Sequence, residues 1–440
     1  MTGDVGRAIG FAVVGALALL APLLEGRVDD RVAAVGTVAP FVVVAAVAYL
    51  STSGPLFELF ARPGDREEGR LYGLASFSLG IAGLAVIYVA FEFPVSAFLV
   101  AVFALTVGNL GQELTARYTP DPAVGTSAFA VLGTIGAVCA MLLAGVLGAS
   151  VPALPLAVFV AASGALLGAL IRSVLFVRDD SLVVLSVGLV VWFFLELGLA
   201  PTLRRVGIGI ALTAALGYVA YGLGTASVTG MLTGVLLALF TVVLGGFGWF
   251  VLLVTFFGLG GLASKYRYDE KLDRGIAQEN EGARGGGNVL ANSAVALVAV
   301  VAFAVSGHVG VPSAVFRFAF AGAVAAALAD TFSSEFGGLF DTPRLITTLR
   351  PVAPGTDGAV TWQGVVAGLV GSAIIGGLSG VFFGLNAPGV LLVVFAGVVG
   401  MTVDSLLGAT LEGDYLGNQG VNLLATLSAG LVAGLAALWL

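Results

Sequence analysis

Three stretches of this chain place acids where apolar runs end: VGNLGQELTARY at 107–118 with Glu113 and Arg117, LADTFSSEFGGLFD at 328–341 with Asp330 and Glu335, and VDSLLGATLEGDY at 403–415 with Asp404, Glu412 and Asp414. A carboxylate at the centre of a lipid-facing helix costs about 2.5 to 3.5 kcal/mol, so acids here need a reason. Asp330 and Ser334 are four apart and share a helical face, and Asp404 and Gly408 repeat that spacing one hairpin later. Two acid-bearing helix ends on one side suit Mg²⁺, which takes one or two carboxylates together with water and substrate phosphates. Asp330 and Glu335 at one such end and Asp404 at the other are the candidate residues. The alternative is that they are helix-end acids meeting interfacial water or nearby arginines.

A second chemistry lies beside the first. The loop at 264–293 carries five basic and five acidic residues, among them Arg284, and then Gly285, Gly286 and Gly287 open a helix bearing Asn288 and Asn292. Free N–H groups at a glycine-rich helix start, with the positive end of the dipole, can hold a phosphate. A flexible linker and a buried amide pair would explain the same residues. GNQGVN sets Asn418 and Asn422 four apart before the last apolar run, and the segment 342–364 adds Arg344 and Arg350 ahead of a Pro-Gly-Thr-Asp-Gly turn. Arginine forks suit phosphate oxygens, although both could equally be anchoring charges at the cytoplasmic face.

The elements that position these groups must be membrane helices. Of 440 residues, 59% are hydrophobic and 10% charged, and apolar runs of about 20 residues recur from end to end, each long enough for a bilayer core of about 30 Å. We expect an all-α polytopic membrane protein of about fifteen spans, near 7–25, 31–50, 70–92, 94–117, 126–149, 152–176, 180–199, 203–224, 227–243, 246–264, 288–306, 312–336, 361–384, 388–411 and 420–440. The first run has no small-x-small cleavage site after it and reads as a retained helix. The 64 glycines are expected mostly at helix contacts, where small residues let backbones approach.

Composition excludes other classes. One cysteine, Cys139, leaves no intramolecular disulfide, and one histidine, His308, leaves no zinc tetrad or histidine-centred triad. Lys265 and Lys271 precede Tyr266 and Leu272, so neither completes a P-loop. Membrane lipids are the expected surroundings and no nucleic-acid partner is expected.

The division of 227–264 into two helices decides the orientation of everything after it. With a cytoplasmic N-terminus and that division, Arg7, Arg62, Arg66, Arg70, Arg117, Arg172, Arg178, Lys265, Arg267, Lys271, Arg274, Arg284, Arg344 and Arg350 fall inside, fourteen of the nineteen basic residues. All three acidic segments then end at the cytoplasmic face.

GARGGGNVLANS, ALADTFSSEFG, PRLITTLRPVAPGTDGAV, VDSLLGATLEG and GNQGVN, in this order over roughly 255–425, resemble the transmembrane-protein-19-like family, which includes the plant phytyl-phosphate kinase. The resemblance implies a membrane kinase that moves a phosphoryl group from a nucleoside triphosphate, usually CTP, to an isoprenoid monophosphate lipid, giving the diphosphate. Under it Asp330, Glu335 and Asp404 would bind Mg²⁺, Arg284, Arg344 and Arg350 would hold phosphates, and Asn288, Asn292, Asn418 and Asn422 would orient donor or acceptor. VGNLGQELTARY resembles a degraded form of the signature of phytol and dolichol kinases and CTP-dependent phosphatidate cytidylyltransferases, with Asn109 where that signature has its acid. Two membrane domains are therefore expected: 1–200, a degenerate polyprenol-kinase-like half, and 201–440, the phytyl-phosphate-kinase-like half. A transporter, with intramembrane acids and two halves, and a lipid cytidylyltransferase are the competing readings.

Overall fold

The computed structural model describes residues 2–174, 180–277, 285–413 and 415–440. In hydrocarbon every backbone N–H and C=O must be satisfied within the segment, so apolar runs of this length become helices. They are α1 (Asp4–Leu24), α2 (Asp30–Leu50), α3 (Tyr72–Ala90), α4 (Val95–Thr115), α5 (Pro122–Val146), α6 (Leu154–Val174), α7 (Asp180–Glu196), α8 (Leu203–Leu223), α9 (Val228–Gly245), α10 (Phe247–Lys265), α11 (Gly286–Ala304), α12 (Ser313–Gly337), α13 (Trp362–Phe383), α14 (Ala387–Gly408) and α15 (Asn418–Trp439). Fourteen of these, among the described residues, are long and apolar enough to cross a membrane; α7, at 17 residues, is slightly shorter than the rest.

Polar punctuation sets the boundaries. Asp29, Asp121, Ser227, Thr361 and Asn386 each accept a backbone N–H at the start of the helix that follows. The division expected within 227–264 falls at Gly246, whose φ of +103° ends a π-helical last turn of α9. The start of α9 then lies beside the end of α10, with Gly234 next to the ring of Phe257, so the two helices run antiparallel.

The chain divides into two compact units, Met1–Val206 and Gly207–Leu440. In the first, α4 is central and packs against α1, α3, α5, α6 and α7. In the second, α12 takes that place among α10, α11, α13, α14 and α15. Its buried run Phe320–Ala329 is almost entirely alanine, glycine, valine and leucine. A Cβ on Gly322 would stand 2.8 Å from the Ala429 carbonyl oxygen, one on Gly368 2.8 Å from that of Ala329, and one on Gly371 3.0 Å from that of Leu328. Backbone meets backbone here, and dispersion between closely packed small residues holds the helices together. The one sheet among the described residues is a small hairpin between α12 and α13, β1 (Arg344–Leu345) antiparallel to β2 (Ala359–Val360).

Candidate active site

The last turns of α12 and α14 carry Asp330 and Asp404, and the packing below them fixes their approach. One turn before Asp404, Gly400 faces Ala326, itself one turn before Asp330; a Cβ on Gly400 would lie 2.4 Å from that of Ala326. Helices that touch this closely bring the next side chains up into contact. The carboxyls of Asp330 and Asp404 lie within hydrogen-bond distance of each other, and Oδ1 of Asp404 is buried with no hydrogen-bond partner. Two carboxyls so placed need a shared proton or a cation between them. The orphaned oxygen and the all-oxygen donor set fit a hard divalent ion.

Glu335, expected as a third ligand, is elsewhere. Its Oε2 accepts a 2.6 Å bond from Nζ of Lys271, and the two side chains are only 4% and 1% exposed. Nζ also donates to the carbonyl oxygens of Ala263 at 2.7 Å and Ser264 at 3.4 Å. A buried lysine must be neutralised and saturated with acceptors, and this one thereby ties the short helix Tyr268–Asp273 to the ends of α10 and α12. No group of three or more acids, histidines or cysteines among the described residues could hold a metal, so the expected triad contracts to the aspartate pair.

The amides gather at the neighbouring helix starts. Gly286 N donates to Oγ1 of Thr229 at 3.3 Å, and Gly287 packs against the Gln419 amide so closely that a Cβ would lie 2.5 Å from Nε2. The first turns of α11 and α15 therefore adjoin. In each, the buried second asparagine donates Nδ2 to Oδ1 of the first: Asn292 to Asn288 at 3.2 Å and Asn422 to Asn418 at 2.9 Å. Asn288 and Asn418 occupy the outer positions. Asn418 in turn hydrogen-bonds Glu412, just beyond α14. Burial, followed by the charges of Asp357 and Asp404, raises the Glu412 pKa above the ordinary carboxylate range, and the Asn418 bond opposes the shift.

The segment between α12 and α13 closes this end. Gly358, at φ +71°, sits where a Cβ would be 2.5 Å from both the Ser405 carbonyl oxygen and the Ala409 nitrogen, and the same turn brings Asp357 into the electrostatic neighbourhood of Glu412. Arg344 is exposed and donates from Nη1 to the Leu349 carbonyl oxygen at 2.7 Å, a bond that steadies a residue at φ +56°. Arg350, also exposed, accepts from Leu345 N through its carbonyl oxygen. Arg284 and Asp414 lie outside the described residues.

The first unit holds a different polar cluster. Asn109 on α4 accepts from Nη1 of Arg172 on α6 at 2.9 Å, and the Arg172 guanidinium lies 5.4 Å from the centre of the Phe129 ring. Arg62 Nη2 pairs with Asp180 Oδ2 at 2.5 Å in a buried bridge. Asp65, fully buried, accepts from the backbone nitrogens of Arg62 and Gly73, each at 3.0 Å. Glu113, Asp180 and Arg62 all act electrostatically on Arg172.

Fold and polar core thus define a polytopic helical membrane protein with its acid pair in the C-terminal unit. Residues 211–430, half of the chain, match the model of Integral membrane protein DUF92, and the chain belongs to that family. It is 38% identical over 192 residues to an uncharacterized membrane protein of Methanocaldococcus jannaschii, covering 42% of this chain and 75% of that one. It is 30% identical over 215 residues to Protein VTE6, chloroplastic, of Arabidopsis thaliana, covering 47% of this chain and 64% of that protein. An uncharacterized membrane protein of Synechocystis is 32% identical over 203 residues, covering 44% and 76% respectively. No solved structure matches the chain.

Proposed function

We propose that the C-terminal unit is a membrane-embedded kinase that transfers the terminal phosphoryl group of a nucleoside triphosphate, CTP by the motif resemblance, to an isoprenyl monophosphate. The observation that carries the reading is the touching pair Asp330 and Asp404 at adjoining helix ends. Kinship with VTE6 and the five motifs resembling the phytyl-phosphate kinase group add to it. In the transfer, an oxygen of the lipid phosphate bonds to the γ-phosphorus, the bond from that phosphorus to the β-bridging oxygen breaks, and CDP leaves. The acceptor is already an anion, so no general base is needed. Positioning and charge neutralisation supply most of the catalysis in such reactions.

Asp330 and Asp404 would hold Mg²⁺, which when bound offsets the polyphosphate charge. Asn288 and Asn418, steadied by Asn292 and Asn422, would present amide N–H groups beside the first turn of α11. Arg344 and Arg350 on the exposed hairpin, with Arg284 ahead of α11, would supply guanidinium forks to phosphate oxygens. The balance of basic residues supports a cytoplasmic position for this end. The N-terminal unit acts as a scaffold in this reading.

The test is purified full-length protein in detergent with Mg²⁺, γ-labelled CTP and geranylgeranyl phosphate. Label should pass to a lipid diphosphate with release of CDP, and Asp330→Asn and Asp404→Asn should slow it by orders of magnitude. Transfer unchanged in both variants removes the metal pair, release of pyrophosphate makes the protein a cytidylyltransferase, and no transfer to any prenyl phosphate ends the kinase reading.

A further inference from the structure

The second unit contains a cleft that the polar site does not use. α8 is the least buried of the candidate spans and meets α9 through side chains, with Gly217 against Val235 and Gly209 against Val243. Towards the ends of α8 and α10 and the start of α9, the three helices leave about 680 Å³ of unfilled space, part of it open to the surroundings. Leu216, Val219, Met231, Phe257, Leu262 and Val289 make its walls apolar, and small residues shape it. A Cβ on Gly258 would meet nothing within 4 Å, and one on Gly234 would reach only the Phe257 ring, at 3.8 Å.

The polar end of this cleft adjoins the candidate active site. Val289 lies in the first turn of α11, and Gly230 follows Thr229, whose hydroxyl accepts from Gly286 N. From there contacts run through Gly287 and Gln419 to Asn418, which hydrogen-bonds Glu412, and Glu412 lies within the electrostatic reach of Asp404. Lys265 Nζ, bonded to the Leu223 carbonyl oxygen at 2.9 Å, stands beside the same rim, and with the start of α11 it gives the rim a positive field. An apolar slot with a cationic lip complements an amphiphile that has one hydrocarbon chain and an anionic head.

We infer that the cleft between α8, α9 and α10 receives the hydrocarbon chain of a single-chain lipid phosphate, leaving its head at the starts of α11 and α15. This rests on the kinase reading for the fate of the head but not for the binding of the chain. The open Cβ positions make it testable, because at Gly234 and Gly258 the first carbon of a larger side chain meets no close neighbour, so Gly234→Leu and Gly258→Leu would extend into the slot, and both replace glycine with a better helix former.

Two measurements on the full-length protein decide it. In the transfer assay both variants should raise KM for geranylgeranyl phosphate about tenfold or more while leaving dimethylallyl phosphate, too short to enter the cleft, unchanged. In a binding assay, geranylgeranyl phosphonate carrying a diazirine at the tail end should label peptides of α8, α9 and α10. Excess geranylgeranyl phosphate should compete, and phosphatidylcholine should not. Labelling on other helices, or equal competition by phosphatidylcholine, identifies annular lipid and overturns the inference. Active variants with unchanged KM for the long substrate overturn it too, leaving the kinase intact. Labelling in the cleft of a protein that transfers no phosphate keeps the cleft and discards the kinase.

Discussion

Each unit winds five consecutive helices into the same set of neighbours. In the first, α4 packs on α3, α5, α6 and α7, while α3 meets α7, α5 meets α6 and α6 meets α7; in the second, α12 packs on α11, α13, α14 and α15, while α11 meets α15, α13 meets α14 and α14 meets α15. Corresponding helix ends carry opposite chemistry. Where α4 and α6 set an amide against a guanidinium, Asn109 and Arg172, α12 and α14 set a carboxyl against a carboxyl, Asp330 and Asp404. A guanidinium is a cation fixed to the chain, so the first cluster is neutralised by its own residues: Arg172 and Arg62 face Glu113 and Asp180. The acid pair instead calls for a cation or proton from outside. The same packing thus supports a closed charge network in one unit and an open one in the other.

The sharpest way to break this comparison is catalytic. Asp404→Asn should lower phosphoryl transfer about 10³-fold, roughly 4 kcal/mol of barrier, without lowering the thermal midpoint, since it relieves two touching carboxyls. Arg172→Gln should leave the rate per folded molecule unchanged; if it costs as much as Asp404→Asn, the first unit is a working site. Next in size is stability. Arg62→Met should cost about 3 to 5 kcal/mol by removing the hydrogen-bonded partner of buried Asp180, and Lys271→Met should cost as much by stranding Glu335, both read by denaturant unfolding. If Arg62→Met proves neutral, the first network is not closed in the sense argued above.

Mg²⁺ sharpens the contrast further. At a hundredfold excess over its Kd it should stabilise the protein by about 2.7 kcal/mol, an effect lost in Asp404→Asn and kept in Arg172→Gln. The smallest effect belongs to Glu412. Its pKa is raised in the folded state, so as pH climbs from the ordinary carboxylate range the folded form binds more protons than the unfolded one and stability falls. Glu412→Gln should therefore have a slightly higher thermal midpoint than the parent at neutral pH, and the gap should close on acidification below that range.

The helices were legible because a run of about 20 apolar residues has few alternatives in lipid, and the break at Gly246 could be read from the distribution of basic residues. Asp330 and Asp404 could be picked out because an acid ending an apolar run is conspicuous, and the fold brings their carboxyls together. The place of Glu335 could not be read. Glu335 satisfies the same criterion, and only the fold reveals Lys271, 64 positions away, as its partner. Arg62 and Arg172 likewise count in the sequence only as positive-face residues, and Asp180 opens a helix without announcing that Arg62, 118 residues earlier, will bond to it. The two asparagine pairs show the opposite case. Spacing of four put their amides on one face, and within each pair the amides bond to one another, as a buried amide pair would.

Gly400 against Ala326 has a consequence for ion choice. Because only the Ala326 methyl group and the hydrogens of Gly400 lie between those two helices one turn from the acids, the span between the carboxyls would, under the proposed ion binding, work as a caliper with its jaws held by the main chain. Such a gauge cannot easily open by the few tenths of an ångström that separate Mg²⁺–oxygen distances, about 2.0 to 2.1 Å, from those of Ca²⁺, about 2.3 to 2.6 Å. Widening it with a single methyl group at position 400 should shift preference towards the larger ion.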